Sequence, residues 1–261
     1  MSVQQYDEIG EAYEGFKTLP MARYVEVPSF LDMLGPLTGG SVLDLACGTG
    51  FYTRQIERLG AAHVLGVDIS GEMIAAARSI EARRPSGIRY EVRDAAELDF
   101  PEPAFDVATA VYLLNYADDE EGMARMCCAV HGSLKDGGRF YALTQNPAFR
   151  FDGPSTDPYG FRYEQVGATP MGPRVHITAL LDPPIGFDTN CPPQKTYERV
   201  LHAAGFRNVE WVPLQVPEAS KAAFTDGFWD DFLANPPLIM LRCRKEPAGS
   251  RQEETAPGAL P

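Results

Sequence analysis

Short apolar runs alternate with stretches of helical periodicity through the first half of the chain. Val42-Leu43-Asp44-Leu45 reads as a buried strand, and Gly48-Thr49-Gly50 then opens a short helix to Leu59, ended by Gly60. Val64-Leu65-Gly66-Val67-Asp68 is a second strand. Ser70 caps the next helix, whose Met73, Ala77 and Ile80 share one face. Residues 88–92 and 105–110 predict strands three and four. Met123, Met126, Cys127, Val130 and Leu134 recur at helical spacing, which predicts an amphipathic helix closed by Gly137-Gly138, with a fifth strand at 140–144.

After Asn146-Pro147 the pattern changes. Residues 147–193 are rich in Pro and Gly, and two runs, 159–166 and 174–181, are placed to pair around Thr169-Pro170-Met171-Gly172. This segment reads as an insertion, because a structureless loop of that length inside a compact domain is unusual. A helix over 194–204 stops at Gly205, and strands follow at 209–214 and 238–244. Their connection lacks the helical pattern of a crossover, so the final pair is expected to be antiparallel. The expected fold is α/β: a Rossmann-like, seven-stranded, mostly parallel sheet with an antiparallel last strand, helices on both faces, and a hairpin inserted after strand five.

Charge narrows the function. The 261 residues carry 23 Lys+Arg against 36 Asp+Glu, a net charge of −13. A polyanion needs clustered cations, so a nucleic-acid partner is not expected. No apolar run approaches the roughly 18 residues of a spanning helix, and residues 1–10 lack the basic-then-apolar order of a signal peptide; the expectation is a cytoplasmic protein without membrane contact. Cys127 and Cys128 are adjacent while Cys47, Cys191 and Cys243 are scattered. That spacing suggests reduced thiols and no metal site.

The chemistry concentrates at strand ends. A Gly-x-Gly turn directly after a strand lets a ligand approach the backbone and offers helix N–H groups to an anion. Asp68 ends the second strand, placed to accept hydrogen bonds from two ribose hydroxyls, and Asp94 follows the third, placed to hold the exocyclic amine of a purine. Each acid alone reads as a cap or loop residue. As an ordered set, Asp44, Asp68 and Asp94 line the sheet edge where open α/β folds bind ligands. Thr53 occupies the place of the third glycine of a dinucleotide fingerprint, which disfavours a nicotinamide dehydrogenase, and there is no Gly-Lys-Ser/Thr phosphate loop. The turn suits an amino-acid group better than a pyrophosphate.

These residues resemble the class I S-adenosylmethionine-dependent methyltransferases. Asp44-Leu45-Ala46-Cys47-Gly48-Thr49-Gly50 is similar to their first motif, Val67-Asp68-Ile69-Ser70 with Met73 to the second, Asp94-Ala95 to the third, and Phe105-Asp106-Val107 with Val111-Tyr112 to the fourth. Tyr6-Asp7-Glu8-Ile9 through Tyr13 resembles an N-terminal lid, and His202-Ala203-Ala204-Gly205-Phe206 the usual late helix end. The resemblance implies S-adenosyl-L-methionine as cofactor, held by Tyr13, Asp44, Ala46, Cys47, Gly48, Gly50, Asp68, Ile69, Met73, Asp94, Ala95 and Val111. The expected layout is a helical lid (1–40), a cofactor-binding core (41–146 and 194–245), a lid insertion over the substrate (147–193) and, from its few apolar residues, a disordered tail (246–261).

Phe51-Tyr52-Thr53-Arg54, Tyr112-Leu113-Leu114-Asn115-Tyr116-Ala117 and Asn146-Pro147 further resemble a bacterial secondary-metabolite subgroup that includes the toxoflavin-biosynthesis methyltransferase. The implied reaction is methyl transfer to N or O of a small (hetero)aromatic acceptor by a monomer or homodimer. The alternative is a cyclase of this fold that keeps the cofactor as scaffold. Tyr112, Tyr116, His176 and Asn146 are the candidate catalytic residues, and Tyr24 also sits in the lid region. For His176 a surface position in the hairpin is the competing reading. Phe149, Phe151, Tyr159, Phe161 and Tyr163 either stack on a flat acceptor or form a satellite core, and both readings stay open. Asn235-Pro236-Pro237-Leu238 resembles a motif of amino-group DNA methyltransferases, but it precedes the last strand and ends in Leu, so it reads as a turn.

Overall fold

The computed structural model describes residues 12–247. Tyr6 through Ile9 of the expected lid, and the tail after Pro247, fall outside the described residues. The chain begins with α1 (Ala12–Phe16) and a π-helical turn (Ala22–Glu26) that runs into α2 (Val27–Leu34). Strand–helix units follow: β1 (Ser41–Leu45), α3 (Phe51–Arg58), β2 (His63–Asp68), α4 (Gly71–Arg83), β3 (Arg89–Val92), β4 (Phe105–Val111), α5 (Glu120–Ser133) and β5 (Leu134–Gln145). Next come β6 (Phe161–Thr169), β7 (Gly172–Ala179), β8 (Ile185–Asn190), α6 (Gln194–Ala203), β9 (Phe206–Val212), two short helices α7 (Glu218–Lys221) and α8 (Asp230–Ala234), and β10 (Leu238–Lys245).

Seven strands form one sheet in the order β3-β2-β1-β4-β5-β10-β9. β1 pairs in parallel with both β2 and β4, whereas β10 runs antiparallel to β5 and β9. The Rossmann-like expectation, including the reversed last strand, holds. β1 has no wet face: Val42, Leu43 and Leu45 are fully buried, because helices cover both sides of a parallel sheet. From β1 the chain moves outward to β2 and β3, then returns to β4 on the other flank. The loops after β1 and β4 thus diverge and open a crevice at the carboxyl ends of the strands. Ser70 starts α4 by accepting the Met73 N–H at 3.2 Å, and Asp119 starts α5 by accepting the Gly122 N–H at 2.7 Å.

Two expectations are corrected. Gly137-Gly138 does not close the fifth helix; α5 ends at Ser133, and the glycines lie inside β5. Leu134 is fully buried and pairs with Phe105, so the sheet captures it before the register shifts at Arg139. The insertion is also more than a hairpin. β8 pairs along β7 from Ala179↔Ile185 to Arg174↔Asn190, making a three-stranded antiparallel sheet in the order β6-β7-β8.

The insertion's aromatic residues divide between the two readings. Tyr159 stacks on Trp229 (5.3 Å, 13°) within a cluster that includes Phe228 and Phe232, while Phe149 packs on Phe151 and Tyr163. Phe161 and Tyr163 turn instead toward a cavity. The Asn-Pro-Pro segment is structural: Asn235 Nδ2 donates to the Arg150 carbonyl and its Oδ1 accepts the Arg150 N–H, both at 2.9 Å. Among the described residues no helix is long and apolar enough to cross a membrane.

Candidate active site

The turn after β1 places Ala46, Gly48 and Gly50 in left-handed conformations (φ 49°, 55° and 81°). At Gly50 a side chain fails twice, by its φ and because a Cβ would meet the Tyr90 ring at 2.8 Å. Asp68, at the end of β2, fixes this turn. Its Oδ2 accepts the Gly48 N–H at 2.8 Å and its Oδ1 the Ser70 N–H at 2.9 Å. Beyond β3, Asp94 Oδ1 accepts the Ala96 N–H at 2.8 Å.

These loops line one half of a cavity of about 410 Å³, with Ala46, Gly48, Asp68, Ile69, Met73, Asp94, Ala95 and Val111 at its wall. Ile69 is half exposed at the mouth, a large apolar group turned toward open space beside two acids. An adenosyl group fits these acceptors and walls: carboxylates for hydroxyls and an amine, apolar side chains for a purine face, and a glycine turn that admits an amino-acid arm.

Three expected cofactor residues lie behind that wall. Asp44 is 1% exposed; its carboxylate accepts the Thr53 hydroxyl at 2.6 Å and the Thr109 hydroxyl at 2.7 Å, tying β1 to α3 and β4. Burial pushes its carboxyl up to about 6, the two hydroxyls oppose this, and nearby Asp68 adds to it. Cys47 is buried, with its thiol pushed up by burial and then by Asp44 and Asp68. Gly50 caps α3 rather than lining the cavity. Tyr13 falls in α1, the helix that brings Phe16 to the cavity.

Of the four catalytic candidates, Tyr112 and Tyr116 reach the cavity, and the structure does not bring Asn146 or His176 there. Asn146 Nδ2 donates to the Pro236 carbonyl at 2.8 Å and its Oδ1 accepts the Ala148 N–H at 3.0 Å, so it pins the start of the insertion. His176 alternates with buried Val175 and Ile177 along β7, which turns it to the outer face, where Nδ1 lies 2.7 Å from Asp188 on β8.

The other half of the cavity holds residues that the sequence did not reveal: Phe16, Lys17, Glu26 and Phe187, joined by Phe161, Tyr163 and Ile177. Glu26 is 1% exposed and ion-paired with Lys17; it also accepts the Tyr52 hydroxyl at 2.6 Å and the Tyr112 hydroxyl at 2.7 Å. Burial raises its carboxyl pKa, but the Lys17 charge and the three hydrogen bonds outweigh that and leave it below the ordinary value. The Lys17 ammonium lies 4.7 Å from the Tyr52 ring centroid and 5.5 Å from that of Tyr112. Tyr112 itself has φ 59°, a left-handed conformation that costs a non-glycine residue about 1–3 kcal/mol. Its N–H bond to the Leu143 carbonyl (2.9 Å) and its hydroxyl bond to Glu26 hold it there. The signal for Glu26 was present in the chain: a lone carboxylate between Val25 and Val27.

A glycine turn after β1, an acid ending β2 and an acid after β3, on a sheet with a reversed penultimate strand, define a nucleoside-binding class of α/β domain. The family model described as "Methyltransferase domain" matches residues 42–138. A demethylmenaquinone methyltransferase of Tropheryma whipplei is 35% identical over 122 residues, covering 47% of this chain and 48% of the relative. A ubiquinone biosynthesis O-methyltransferase of Coxiella burnetii is 32% identical over 114 residues, covering 44% and 47%. The matched chain thus spans about half the length of these relatives. An S-adenosylmethionine-dependent methyltransferase structure from Mesorhizobium loti superimposes with a TM-score of 0.62 at 24% identity, covering 88% of this chain and all of that one. Residues 42–138 thus match a methyltransferase domain, and the chain shares its fold with that S-adenosylmethionine-dependent methyltransferase structure.

Proposed function

We propose that this protein transfers a methyl group from S-adenosylmethionine to N or O of a small aromatic or heteroaromatic metabolite, as in secondary-metabolite biosynthesis. When bound, the cofactor supplies a methyl carbon whose bond to sulfur breaks with the electron pair left on sulfur. Asp68 takes the ribose hydroxyls, Asp94 the adenine amine, Ile69 and Met73 the adenine faces, and the turn from Ala46 to Gly48 the amino-acid arm. One observation carries the reading: a single cavity joins these strand-end residues to a chamber walled by Phe16, Phe161, Tyr163 and Phe187. Charge cancels during methyl transfer, so positioning and exclusion of water are the protein's main tasks. A flat acceptor suits the aromatic walls, and the two quinone-pathway relatives support a ring-bearing substrate. The net charge of −13 supports a small molecule over a nucleic acid.

The test is incubation with methyl-labelled cofactor and a panel of phenols, enols and nitrogen heterocycles, read by mass spectrometry. A labelled product with equimolar S-adenosylhomocysteine is expected. Cofactor uptake with an altered acceptor but no S-adenosylhomocysteine would point to the cyclase alternative instead.

A further inference from the structure

The chamber opposite Asp68 and Asp94 contains a hydroxyl whose direction its partners fix. Tyr112 has one hydrogen to give, and it gives it to Glu26. Tyr112 lines the cavity, and with its hydrogen committed to Glu26 its oxygen has only lone pairs left to offer a ligand. Glu26 is positioned from the opposite side by Lys17 and Tyr52, so the carboxylate cannot swing away. In the same cavity the Phe16 and Phe187 rings stack at 5.8 Å and 19°, with Phe161 edge-on to Phe16 at 6.4 Å, so aromatic walls and this hydroxyl line one chamber.

We infer that Tyr112 and Glu26 form a proton-holding pair for the methyl acceptor, whose nucleophile is an O–H or N–H group on a flat ring rather than a lone-pair-only atom such as a thioether or a tertiary amine. The inference rests on the methyl-transfer reading and narrows it. As the bond from the acceptor's O or N to the methyl carbon forms, that atom's proton passes to Tyr112 Oη. The proton of Tyr112 passes to Glu26, which becomes a neutral carboxyl beside Lys17 and afterwards returns the proton to solvent. The carbon–sulfur electron pair stays with sulfur, so charge and atoms balance. Burial, and then the Glu26 charge, hold the Tyr112 phenol well above its ordinary range, so no phenolate accumulates and Tyr112 releases its own proton only as it takes up the acceptor's. A weak base suffices for an oxygen acceptor, because a methylated oxygen still carrying its proton is a strong acid.

The test uses the full chain saturated with S-adenosylhomocysteine, at a pH low enough for the phenol to keep its proton, and two calorimetric probes, 4-nitrophenol and its methyl ether 4-nitroanisole. The wild type is expected to bind the phenol about tenfold more tightly than the ether, which lacks the donor. Y112F is expected to bind both alike with its S-adenosylhomocysteine affinity unchanged. E26Q keeps a carbonyl for Tyr112 and keeps the preference; K17M/E26L removes charge and acceptor together and brings the ratio toward one. Equal affinities in the wild type, an unchanged ratio in Y112F, or uptake of neither probe would overturn the pair while leaving methyl transfer standing. A wild-type protein that does not bind S-adenosylhomocysteine overturns the methyl-transfer reading, and this one with it.

Discussion

The two halves of the cavity are built by different means. Around Asp68 the shape comes from backbone: its carboxylate takes the Gly48 and Ser70 N–H groups, and Asp94 takes that of Ala96. Around Tyr112 it comes from side chains gathered from α1, the π-helical turn, the end of β4 and the inserted sheet. A backbone-built half can be written in a few contiguous residues and is rigid by construction. A side-chain-built half depends on docking distant segments, and can change its acceptor without disturbing the sheet. The contrast is sharpest if damage to the first half removes cofactor binding and damage to the second does not.

The largest effect is expected from D68A. In the proposed complex its carboxylate accepts two ribose hydroxyls while holding the glycine turn, and hydrogen bonds to a charged group contribute about 1.5–3 kcal/mol each. Cofactor affinity measured by calorimetry should fall about 10²- to 10³-fold, with the fold retained by circular dichroism. Unchanged binding would remove the basis for calling this half the cofactor site.

Asp44 separates stability from binding in the same half. Its carboxyl, raised to about 6, stays protonated in the folded chain at pH values where the unfolded chain has ionised. The folded state therefore holds the extra proton between about pH 4 and pH 6, and stability from this group is full below that window and lost as pH rises through it. About 3 kcal/mol is at stake, at about 1.36 kcal/mol for each pH unit across the window. D44N should flatten the difference in urea midpoints between pH 4 and pH 7, while cofactor affinity at fixed pH changes much less than in D68A. A wild-type midpoint independent of pH over that range would contradict this account of the buried acid.

G50A is expected to cost less, about 1–2 kcal/mol, from its left-handed φ and the approach of Tyr90. Among the described residues the buried Tyr90 hydroxyl has no hydrogen-bond partner, so Y90F should be nearly neutral alone and should recover part of the G50A loss in thermal melts. A double variant no more stable than G50A would mean that φ, and not crowding, makes position 50 a glycine.

The backbone-built half was legible because its evidence is local: an apolar run doubly buried, a glycine turn at its end, an acid ending β2 and another just after β3. Even there the sequence overstated three positions. Asp44, Cys47 and Gly50 belong to the motif but brace it from behind, and no spacing rule distinguishes a residue that touches a ligand from one that supports the loop. No spacing rule shows the role of Thr53 either, whose hydroxyl donates to Asp44. β8 escaped because Ile185 and Phe187 are its only large apolar residues and the rest of it reads as a polar loop; its pairing with β7 places it. Glu26 escaped because a helical carboxylate is ordinarily a solvated face, and only the docking of the turn over Tyr52 and Tyr112 buries it.

His176 offers the finest test of the boundary between the acceptor half and the surface, since the sequence makes it a catalytic candidate and it lies on the outer face of β7. Its ring faces Asp188 at 2.7 Å, but Arg174 also donates to that carboxylate at 2.9 Å, so Asp188 keeps a cation when the imidazole is removed. The His176 and Asp188 side chains are 37% and 31% exposed, and water screens such a pair. H176A should therefore lose less than about 0.5 kcal/mol in urea unfolding. It should leave both S-adenosylhomocysteine affinity and the nitrophenol-to-nitroanisole ratio at wild-type values. A tenfold loss in either would mean that β7 turns this face toward substrate during binding, and the division between a wall that recognises the acceptor and a sheet that merely carries it would have to be redrawn at β7.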